Sequence, residues 1–148
     1  MEEKSGGPID DGRCFGCGRD NPIGLRLRFD IEGESATCRT TLAQVFQGWR
    51  GVAHGGIVMA LIDEAMAYAA SSVGWKGVTA ECSTRFRRPI PLEEPLLIRG
   101  KVLWQRRNVI GVAAEIVDER GTVLATGEGK FVGKARIEPG LLGAVTER

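Results

Sequence analysis

The pattern of apolar and polar positions changes its period along the chain, and these changes predict the elements of the fold. Residues 55–72 are apolar on nearly every side, which is typical of a buried helix rather than a surface helix. Elsewhere apolar and polar residues alternate, as in half-buried strands, which predicts two strands before the helix and a meander of three or four after it. The predicted strands are residues 25–31, 35–42, 78–88, 96–104, 109–117 and 122–132.

This order of elements predicts an α+β fold in a single domain. An all-round apolar helix needs a sheet that curls about it, or a sheet together with a partner subunit. We therefore expect a long central helix wrapped by an antiparallel sheet of five to six strands. Residues 1–13 are predicted to be a flexible polar lead-in, residues 14–133 the folded domain, and residues 134–148 a frayed tail.

Size and charge argue against several classes of function. The chain has 148 residues, of which 43% are apolar and 26% charged, as in an ordinary globular domain with its own core. The formal net charge of +1 gives no reason to expect a nucleic acid or an anionic membrane as partner. Asp63 and Glu64 divide the longest apolar run, so it falls short of the roughly 18 residues of a membrane span. Because the acidic N-terminus lacks a signal-peptide core, a cytoplasmic location is predicted.

Two adjacent carboxylates inside the apolar helix are the strongest sign of chemistry. Carboxylates are seldom buried without a partner or a task. Asp63 and Glu64 project about 100° apart around the helix, so they face different surroundings. The only histidine, His54, precedes the Gly55-Gly56 pair at the predicted helix start. N–H groups at a helix start lack intrahelical partners and favour negative charge, and glycine allows a ligand to approach the backbone closely.

The spacing of these residues, together with two flanking segments, resembles a known family. His54-Gly55-Gly56 is followed, after six residues, by Asp63. The flanking segments are Phe46-Gln47-Gly48-Trp49 and an early run containing Cys14-Phe15-Gly16-Cys17-Gly18, Asn21-Pro22 and Gly24-Leu25. This pattern resembles the PaaI-like hot-dog acyl-CoA thioesterases of the 4-hydroxybenzoyl-CoA thioesterase superfamily, over roughly residues 14–132. The resemblance implies a hot-dog fold, hydrolysis of acyl-CoA to a free acid and coenzyme A, no metal or other cofactor, and a homodimer or homotetramer.

The residues themselves suit thioester hydrolysis. Asp63 supplies a carboxylate that attacks the carbonyl or activates water, and the N–H groups of Gly55 and Gly56 supply donors for the oxyanion. Eight residues of helix separate Gly55 from Asp63, a rise of about 12 Å, so one carbonyl cannot lie near both groups of one protomer. Antiparallel helices in a two-fold dimer would place Asp63 of one subunit opposite Gly55 of the other.

Further site residues are assigned by the resemblance. In the family, a polar residue about six positions before the histidine holds the thioester or the water. Gly48 occupies that position here, which departs from the pattern, and the adjacent Gln47 is taken in its place. Thr79 matches a Ser or Thr that assists catalysis early in the following strand. Ser83, two steps further on the same predicted face, is the substitute for Thr79.

Four other residues have alternative interpretations. His54 either acts with Asp63 as a general base or fixes and orients the loop, whereas Glu64 is expected to be an ion-pair partner. Cys14 and Cys17 have the CxxC spacing of zinc and redox sites. Zinc needs two more ligands, and the sequence has no second CxxC motif and no pair of histidines. We therefore expect a structured N-terminal cap bordering the substrate site, and no metal.

Substrate binding is expected to involve basic and aromatic residues as well as Ser83. Arg85, Arg87 and Arg88 form a basic run that suits the phosphates of coenzyme A, although exposed strand edges carry such residues too. Trp49 is a candidate for lining an acyl pocket, although aromatic residues near a helix are more often part of a core. The chemistry of the acyl group is left open by these residues.

Two other functions are consistent with the same fold. A hot-dog hydratase or dehydratase would pair a catalytic histidine with an acidic residue on the helix, whereas His54 precedes the helix. A non-catalytic acyl-CoA sensor would keep the pocket but show no turnover, and the presence of Asp63 favours an enzyme. The sequence also leaves open whether Asp63 acts as nucleophile or as general base.

Overall fold

The computed structural model describes residues 8–139, and this part of the chain contains one long helix and one six-stranded antiparallel sheet. In chain order the elements are β1 (Asp30–Glu32), β2 (Ser35–Thr41), a 3₁₀ helix (Gln44–Phe46), α1 (Gly55–Ser71), β3 (Trp75–Phe86), β4 (Pro95–Arg106), β5 (Val109–Asp118) and β6 (Val123–Arg136). The strand order across the sheet is β1-β2-β4-β5-β6-β3. No helix within the described range is long and apolar enough to span a membrane.

The sheet curls around α1, as the apolar pattern predicts. On the covered side of the helix, Leu61, Ile62 and Met66 are completely buried. The sheet residues that are also completely buried include Ile98, Ile110, Val112 and Ile116. Burial of each such side chain contributes on the order of 1.5–3 kcal/mol, so this helix–sheet layer is a main source of stability. The predicted hot-dog arrangement, a long helix wrapped by an antiparallel sheet, is confirmed.

The helix is not buried on every side, however. It begins at Gly55 as predicted and ends at Ser71, one residue before the predicted end. Gly55, Met59 and Asp63 are spaced four residues apart and therefore form one ridge along the helix surface. Gly55 is exposed, Met59 is 43% exposed and Asp63 is partly exposed. The sheet of the same protomer thus leaves this ridge uncovered at the N-terminal half of α1.

The first predicted strand, residues 25–31, is wrong over most of its length. The alternation of burial is real, since Leu27 is buried between exposed Arg26 and Arg28. The backbone nevertheless joins the sheet only at Asp30. Arg26 has a left-handed φ of 54°, and the N–H of Leu27 donates to the carbonyl of Gly16 at 2.9 Å. This stretch therefore pairs with the N-terminal segment instead of the sheet.

β3 departs from the predicted meander. It pairs with β6 at the far edge of the sheet, rather than with β4, which follows it in sequence. Pro89 and Pro91 lie between β3 and β4, where they interrupt strand pairing, and the chain crosses to the β2 side of the sheet.

The C-terminal boundary is also later than predicted. β6 continues to Arg136, past the predicted domain end at residue 133. The Arg136 guanidinium lies 4.4 Å from the centre of the Trp75 ring, which ties the end of β6 to the start of β3. Residues 134–136 are therefore strand and not frayed tail. The predicted termini at residues 1–7 and 140–148 lie outside the described residues.

Candidate active site

Asp63 and Thr79 meet where α1 crosses β3. The hydroxyl of Thr79 donates a hydrogen bond to Asp63 Oδ1 at 2.6 Å. A carboxylate has two acceptor oxygens, so this bond fixes the orientation of Asp63 and leaves Oδ2 for another partner. The structure thus brings together two of the residues that the sequence singled out.

A β-bulge in β3 decides which side chains accompany Asp63. Thr79 lies opposite Phe131, a buried residue on the inner face of the sheet, and the register then shifts before Glu81. Ser83 consequently lies opposite the exposed Glu128, on the outer face. The prediction that Thr79 and Ser83 share one face is wrong, because the extra residue of a bulge reverses the alternation of side chains that follows it.

The start of α1 presents one free N–H group rather than two. His54 is the N-cap residue, and its Nδ1 accepts the N–H of Gly56 at 2.9 Å. The predicted role of Gly56 as an oxyanion donor is therefore not supported by this geometry, since its N–H is already bonded. The N–H of Gly55 has no hydrogen-bond acceptor within residues 8–139. Space around Gly55 is open, since a Cβ there would have the Phe86 ring as its nearest neighbour, at 3.9 Å.

The loop before the helix explains the unusual glycine six positions before His54. A Cβ at Gly48 would lie 2.9 Å from the His54 Cα, which is closer than real side chains come, so a polar residue does not fit there. The N–H of His54 donates to the Phe46 carbonyl at 2.9 Å, and Gln47 Oε1 accepts the N–H of Gly51, also at 2.9 Å. The Gln47 side chain therefore stabilises the loop that holds His54.

One protomer does not assemble these groups around a single point. Asp63, which holds Thr79, lies eight residues along α1 from Gly55, so the helix rises by about 12 Å between these two residues. β3 is the last strand at its side of the sheet, so one row of its backbone groups has no neighbouring strand in the protomer. On this strand Val78 is 42% and Phe86 54% exposed. The uncovered ridge of α1 and the open edge of β3 therefore form a protomer surface with exposed apolar side chains.

The predicted substrate-binding residues are spread over separate surfaces. Ser83 and Arg85 line a cavity of ≈ 710 Å³ on the outer face of the sheet, which also includes Arg99 and Lys101. Arg87 and Arg88 line a second cavity of ≈ 580 Å³ near the turn between β5 and β6. Trp49 is 87% exposed in the loop before α1 and belongs to no core. Within one protomer, the outer-face residues Ser83 and Arg85 are separated from Asp63 by the sheet.

A cluster of Cys14, Cys17 and Glu64 lies on the neighbouring side of α1. Their ligand atoms all lie within 4.8 Å of one another, and Cys14 Sγ is 3.7 Å from Glu64 Oε1. The expectation that Glu64 forms an ion pair is replaced by contact with two thiols. Sequence reasoning missed the third member because Glu64 is 50 positions from Cys14. The sequence did single out Glu64 as one of two adjacent carboxylates that face different sides of the helix.

The three groups of this cluster hold their protons unequally. The hydrogen bond from Cys17 lowers the pKa of Cys14 to about 5, and its effect on Cys17, together with burial, raises the pKa of that thiol. Burial raises the pKa of Glu64 to about 8, and the nearby Cys14 charge adds to this. Among the three groups, negative charge is therefore most favoured at the Cys14 thiol.

The fold and the site define a class of enzyme. A long helix wrapped by an antiparallel sheet is hot-dog architecture, and in this chain Thr79 fixes the Asp63 carboxylate where the helix meets the sheet. The thioesterase superfamily matches residues 50–125 of this sequence. Acyl-coenzyme A thioesterase PaaI of Escherichia coli strain K12 is 31% identical over 108 residues, which cover 73% of this chain and 76% of the relative. The chain belongs to the thioesterase superfamily and is a thioester hydrolase.

Solved structures agree with this assignment. A crystal structure of a thioesterase superfamily protein matches with a TM-score of 0.77 and 32% identity over 82% of this chain, which spans 63% of that protein. The structure of Escherichia coli PaaI matches with a TM-score of 0.68 and 26% identity, over 78% of this chain and 83% of that one. A Streptococcus mutans protein bound to acetyl CoA shares the fold, with a TM-score of 0.73 and 18% identity over 81% and 98% of the two chains.

Proposed function

We propose that this chain hydrolyses an acyl-CoA to a free acid and coenzyme A, in active sites that two protomers share. The observation that carries the proposal is the position of Asp63 and Gly55 on one uncovered ridge of α1, with Thr79 bonded to Asp63 at 2.6 Å. One carbonyl must contact both the carboxylate and the N–H donor, and the helix separates these groups by about 12 Å. A two-fold dimer with antiparallel helices overcomes this separation and makes two equivalent sites.

The substrate class rests on relatives. The Escherichia coli relative is named an acyl-coenzyme A thioesterase, and the Streptococcus mutans protein of the same fold was crystallised with acetyl CoA. Acyl-CoA molecules are thioesters, so we expect a thioester hydrolase with this fold to act on an acyl-CoA.

The dimer is supported by the surface around the site. The open edge of β3 offers unpaired backbone groups to a second copy of the same strand, and such edges are usually covered in stable proteins. Exposed Val78, Phe86 and Met59 give this surface an apolar character. A two-fold contact here would place the ridge of α1 against its counterpart. Sedimentation equilibrium distinguishes this dimer from the homotetramer that the family resemblance also allows.

Catalysis is proposed to use Asp63 as general base or as nucleophile. In the first route, Asp63 takes a proton from a water whose oxygen attacks the thioester carbon, and the carbonyl electrons move onto oxygen. The intermediate then collapses, the C–S bond breaks, and the proton passes from Asp63 to the coenzyme A thiolate. In the second route Asp63 attacks the thioester carbon, the C–S bond breaks and the coenzyme A thiolate leaves, and water then cleaves the resulting anhydride and supplies the proton that the thiolate takes up. A single turnover in ¹⁸O water can label Asp63 only in the second route, where water attacks the Asp63 carbonyl carbon of the anhydride.

Gly55 and its neighbours are proposed to stabilise the oxyanion and to orient the groups. The free Gly55 N–H at the start of α1 donates to the developing charge, where the helix dipole also favours a negative group. His54 holds the helix start through its bond to Gly56, and Gln47 holds the loop through Gly51. Gln47 is exposed, and its amide nitrogen, which takes no part in the bond to Gly51, is proposed to contact substrate.

Binding of the coenzyme A part is proposed to use the exposed basic residues. Arg87 and Arg88 lie beside each other at the end of β3, both bonded through their backbone N–H groups to the Leu124 carbonyl, at 2.9 and 3.0 Å. Arg85 lies on the outer face, so it could reach only the distal phosphates. Trp49 extends from the loop before the helix and is proposed to contact the acyl group or the pantetheine arm.

The test is hydrolysis of a panel of acyl-CoA esters by the wild-type chain and by Asp63→Asn, followed through release of the coenzyme A thiol. We expect turnover by the wild type and a loss of about 100-fold or more in kcat for the variant, with an unchanged fold and oligomeric state. Near-normal turnover by Asp63→Asn would exclude the assignment of Asp63. Hydration of an enoyl-CoA without thiol release would support the hydratase alternative, and binding without any turnover the sensor.

A further inference from the structure

We propose that Cys14, Cys17 and Glu64 form a zinc site that fastens the N-terminal segment to α1, next to the active site. The three ligand atoms lie within 4.8 Å of one another although they come from two distant parts of the chain. Zinc–sulfur bonds of about 2.3 Å and zinc–oxygen bonds of about 2.0 Å in a tetrahedron place neighbouring ligand atoms roughly 3.5–4 Å apart. The cluster therefore needs only a small contraction to hold the ion, with water as the fourth ligand.

The backbone around the cysteines forms a tight turn. The N–H of Gly18 donates to the carbonyl of Cys14 at 2.8 Å, which closes the turn. The pKa of Cys14 is lowered by the Cys17 side chain and also by the backbone N–H groups of Cys17 and Gly16. A lowered pKa favours the thiolate, the form of cysteine that binds metal.

The two glycines of this turn leave no room for side chains. A Cβ at Gly16 would collide with the carboxyl group of Glu64, and one at Gly18 with the backbone of Cys14. The turn is therefore pressed directly onto the Glu64 carboxyl, which explains why Cys-Phe-Gly-Cys-Gly and the helix carboxylate belong to one site.

The carboxyl group of Glu64 supports a bound cation independently of the cysteine turn. Its Oε2 atom is fully buried and has no hydrogen-bond partner within the described residues. A buried carboxylate oxygen without a partner costs free energy, and a bound cation relieves this cost. A Cys14–Cys17 disulfide would do the opposite, because it removes the thiols that are the neighbours of this carboxyl.

The ligand set selects the kind of metal. Two thiolates exclude calcium and magnesium, which prefer oxygen ligands, whereas zinc accepts both sulfur and carboxylate oxygen. On binding, the thiol and carboxyl groups release their remaining protons to solvent, and the ion neutralises the charge that they acquire. No electron transfer is involved. The zinc is assigned a fastening role, because the groups proposed for catalysis, Asp63 and the Gly55 N–H, lie on another side of the helix.

The experiment titrates reduced, chelator-treated full-length chain with zinc chloride in competition with a chromophoric chelator. We expect about one tightly bound zinc ion per chain, lost in Cys14→Ser and Cys17→Ser. Glu64→Gln keeps the size of the side chain and should weaken zinc affinity by at least about tenfold. Cys82→Ala is the matched control, because Cys82 lies on β3 outside the cluster, and it should bind zinc as the wild type does.

Cobalt replacement gives a readout that a merely structural effect of the substitutions does not imitate. Co²⁺ bound to the wild type should show the near-ultraviolet charge-transfer band of thiolate ligation, weakened in each single cysteine variant. If those variants fail to fold, the wild-type spectrum and the isosteric Glu64→Gln variant still decide. The proposal is overturned if the reduced wild type binds zinc no more tightly than Glu64→Gln does. It is also overturned if Cys82→Ala loses as much zinc affinity as Cys14→Ser and Cys17→Ser, or if Co²⁺ bound to the wild type shows no thiolate band.

Discussion

Thr79 donates its hydroxyl hydrogen to Asp63 Oδ1 at 2.6 Å, across the boundary between β3 and α1. The two residues are 16 positions apart, and a β-bulge immediately after Thr79 is what turns the strand so that the bond forms. The carboxylate is therefore fixed by a neighbour in its own protomer, while the oxyanion donor is expected from the other. This division gives the proposed function several separate tests.

Removal of the Thr79 hydroxyl should impair chemistry more than folding. Thr79→Val keeps the shape of the side chain, leaves Asp63 Oδ1 without its donor, and should lower kcat by about 10-fold or more while KM changes little. Thr79→Ser should restore most of the activity. Ser83→Ala is the matched control, since Ser83 lies on the outer face. Steady-state hydrolysis of an acyl-CoA checks all three, and an equal loss in Ser83→Ala would contradict the assignment of faces.

A proline at Gly55 should remove the oxyanion donor without breaking the helix. Gly55 is the first helical residue, where proline is well tolerated, and His54 has the extended backbone, φ −62° and ψ 139°, that a following proline requires. We expect Gly55→Pro to lower kcat by about 10²- to 10³-fold. Gly55→Ala keeps the N–H and adds a methyl group in open space, so it should stay within a few-fold of wild type. Equal losses in both variants would point to crowding instead.

Mixing two inactive variants should restore activity if the site is shared between subunits. Asp63→Asn and Gly55→Pro chains, denatured together and refolded, would form mixed dimers in which one of the two sites has both intact residues. Random pairing leaves about a quarter of all sites intact, so roughly a quarter of wild-type activity is expected. Each variant refolded alone is the control. Activity no higher than the sum of the two controls would mean that the site lies within one chain.

His54 should matter for stability through its cap, and its variants separate that role from proton transfer. His54→Ala leaves the Gly56 N–H without an acceptor and should lower the free energy of unfolding by about 1 kcal/mol. His54→Asn offers a side-chain oxygen to the same N–H and should keep stability. If His54 only orients the helix start, His54→Asn also keeps kcat. If His54 acts as a general base, the same variant should lower kcat by about 10²- to 10⁴-fold. Urea unfolding and hydrolysis rates together distinguish the two interpretations.

Local patterns in the sequence were sufficient for the helix and for most of the sheet. The start of α1 at Gly55 follows from the glycine pair and the apolar run, and the alternation of residues located β2, β4 and β5 closely. The pairing of Asp63 with Thr79 was also accessible, because the resemblance placed a hydroxyl residue early in the next strand. These features depend on residues that are near one another in the chain.

The errors involve backbone events that residue type alone does not signal. The bulge after Thr79 sends Ser83 to the outer face, and no glycine or proline marks it. The left-handed backbone at Arg26 diverts the predicted first strand toward the N-terminal segment. The contact of Glu64 with Cys14 spans 50 positions, so neither residue predicts the other from spacing.

The position of β3 at the edge of the sheet has a consequence for the order of folding. β3 follows α1 directly, yet its neighbour in the sheet is β6, which reaches Arg136 and is the last strand within residues 8–139. Until β6 has been made, Thr79 has no neighbouring strand to hold it in place, and the β3 edge with its exposed Val78 and Phe86 stays open to pairing with other chains. Asp63 therefore acquires its Thr79 partner only once β6 is available, and a chain truncated before residue 123 should aggregate rather than form a folded monomer.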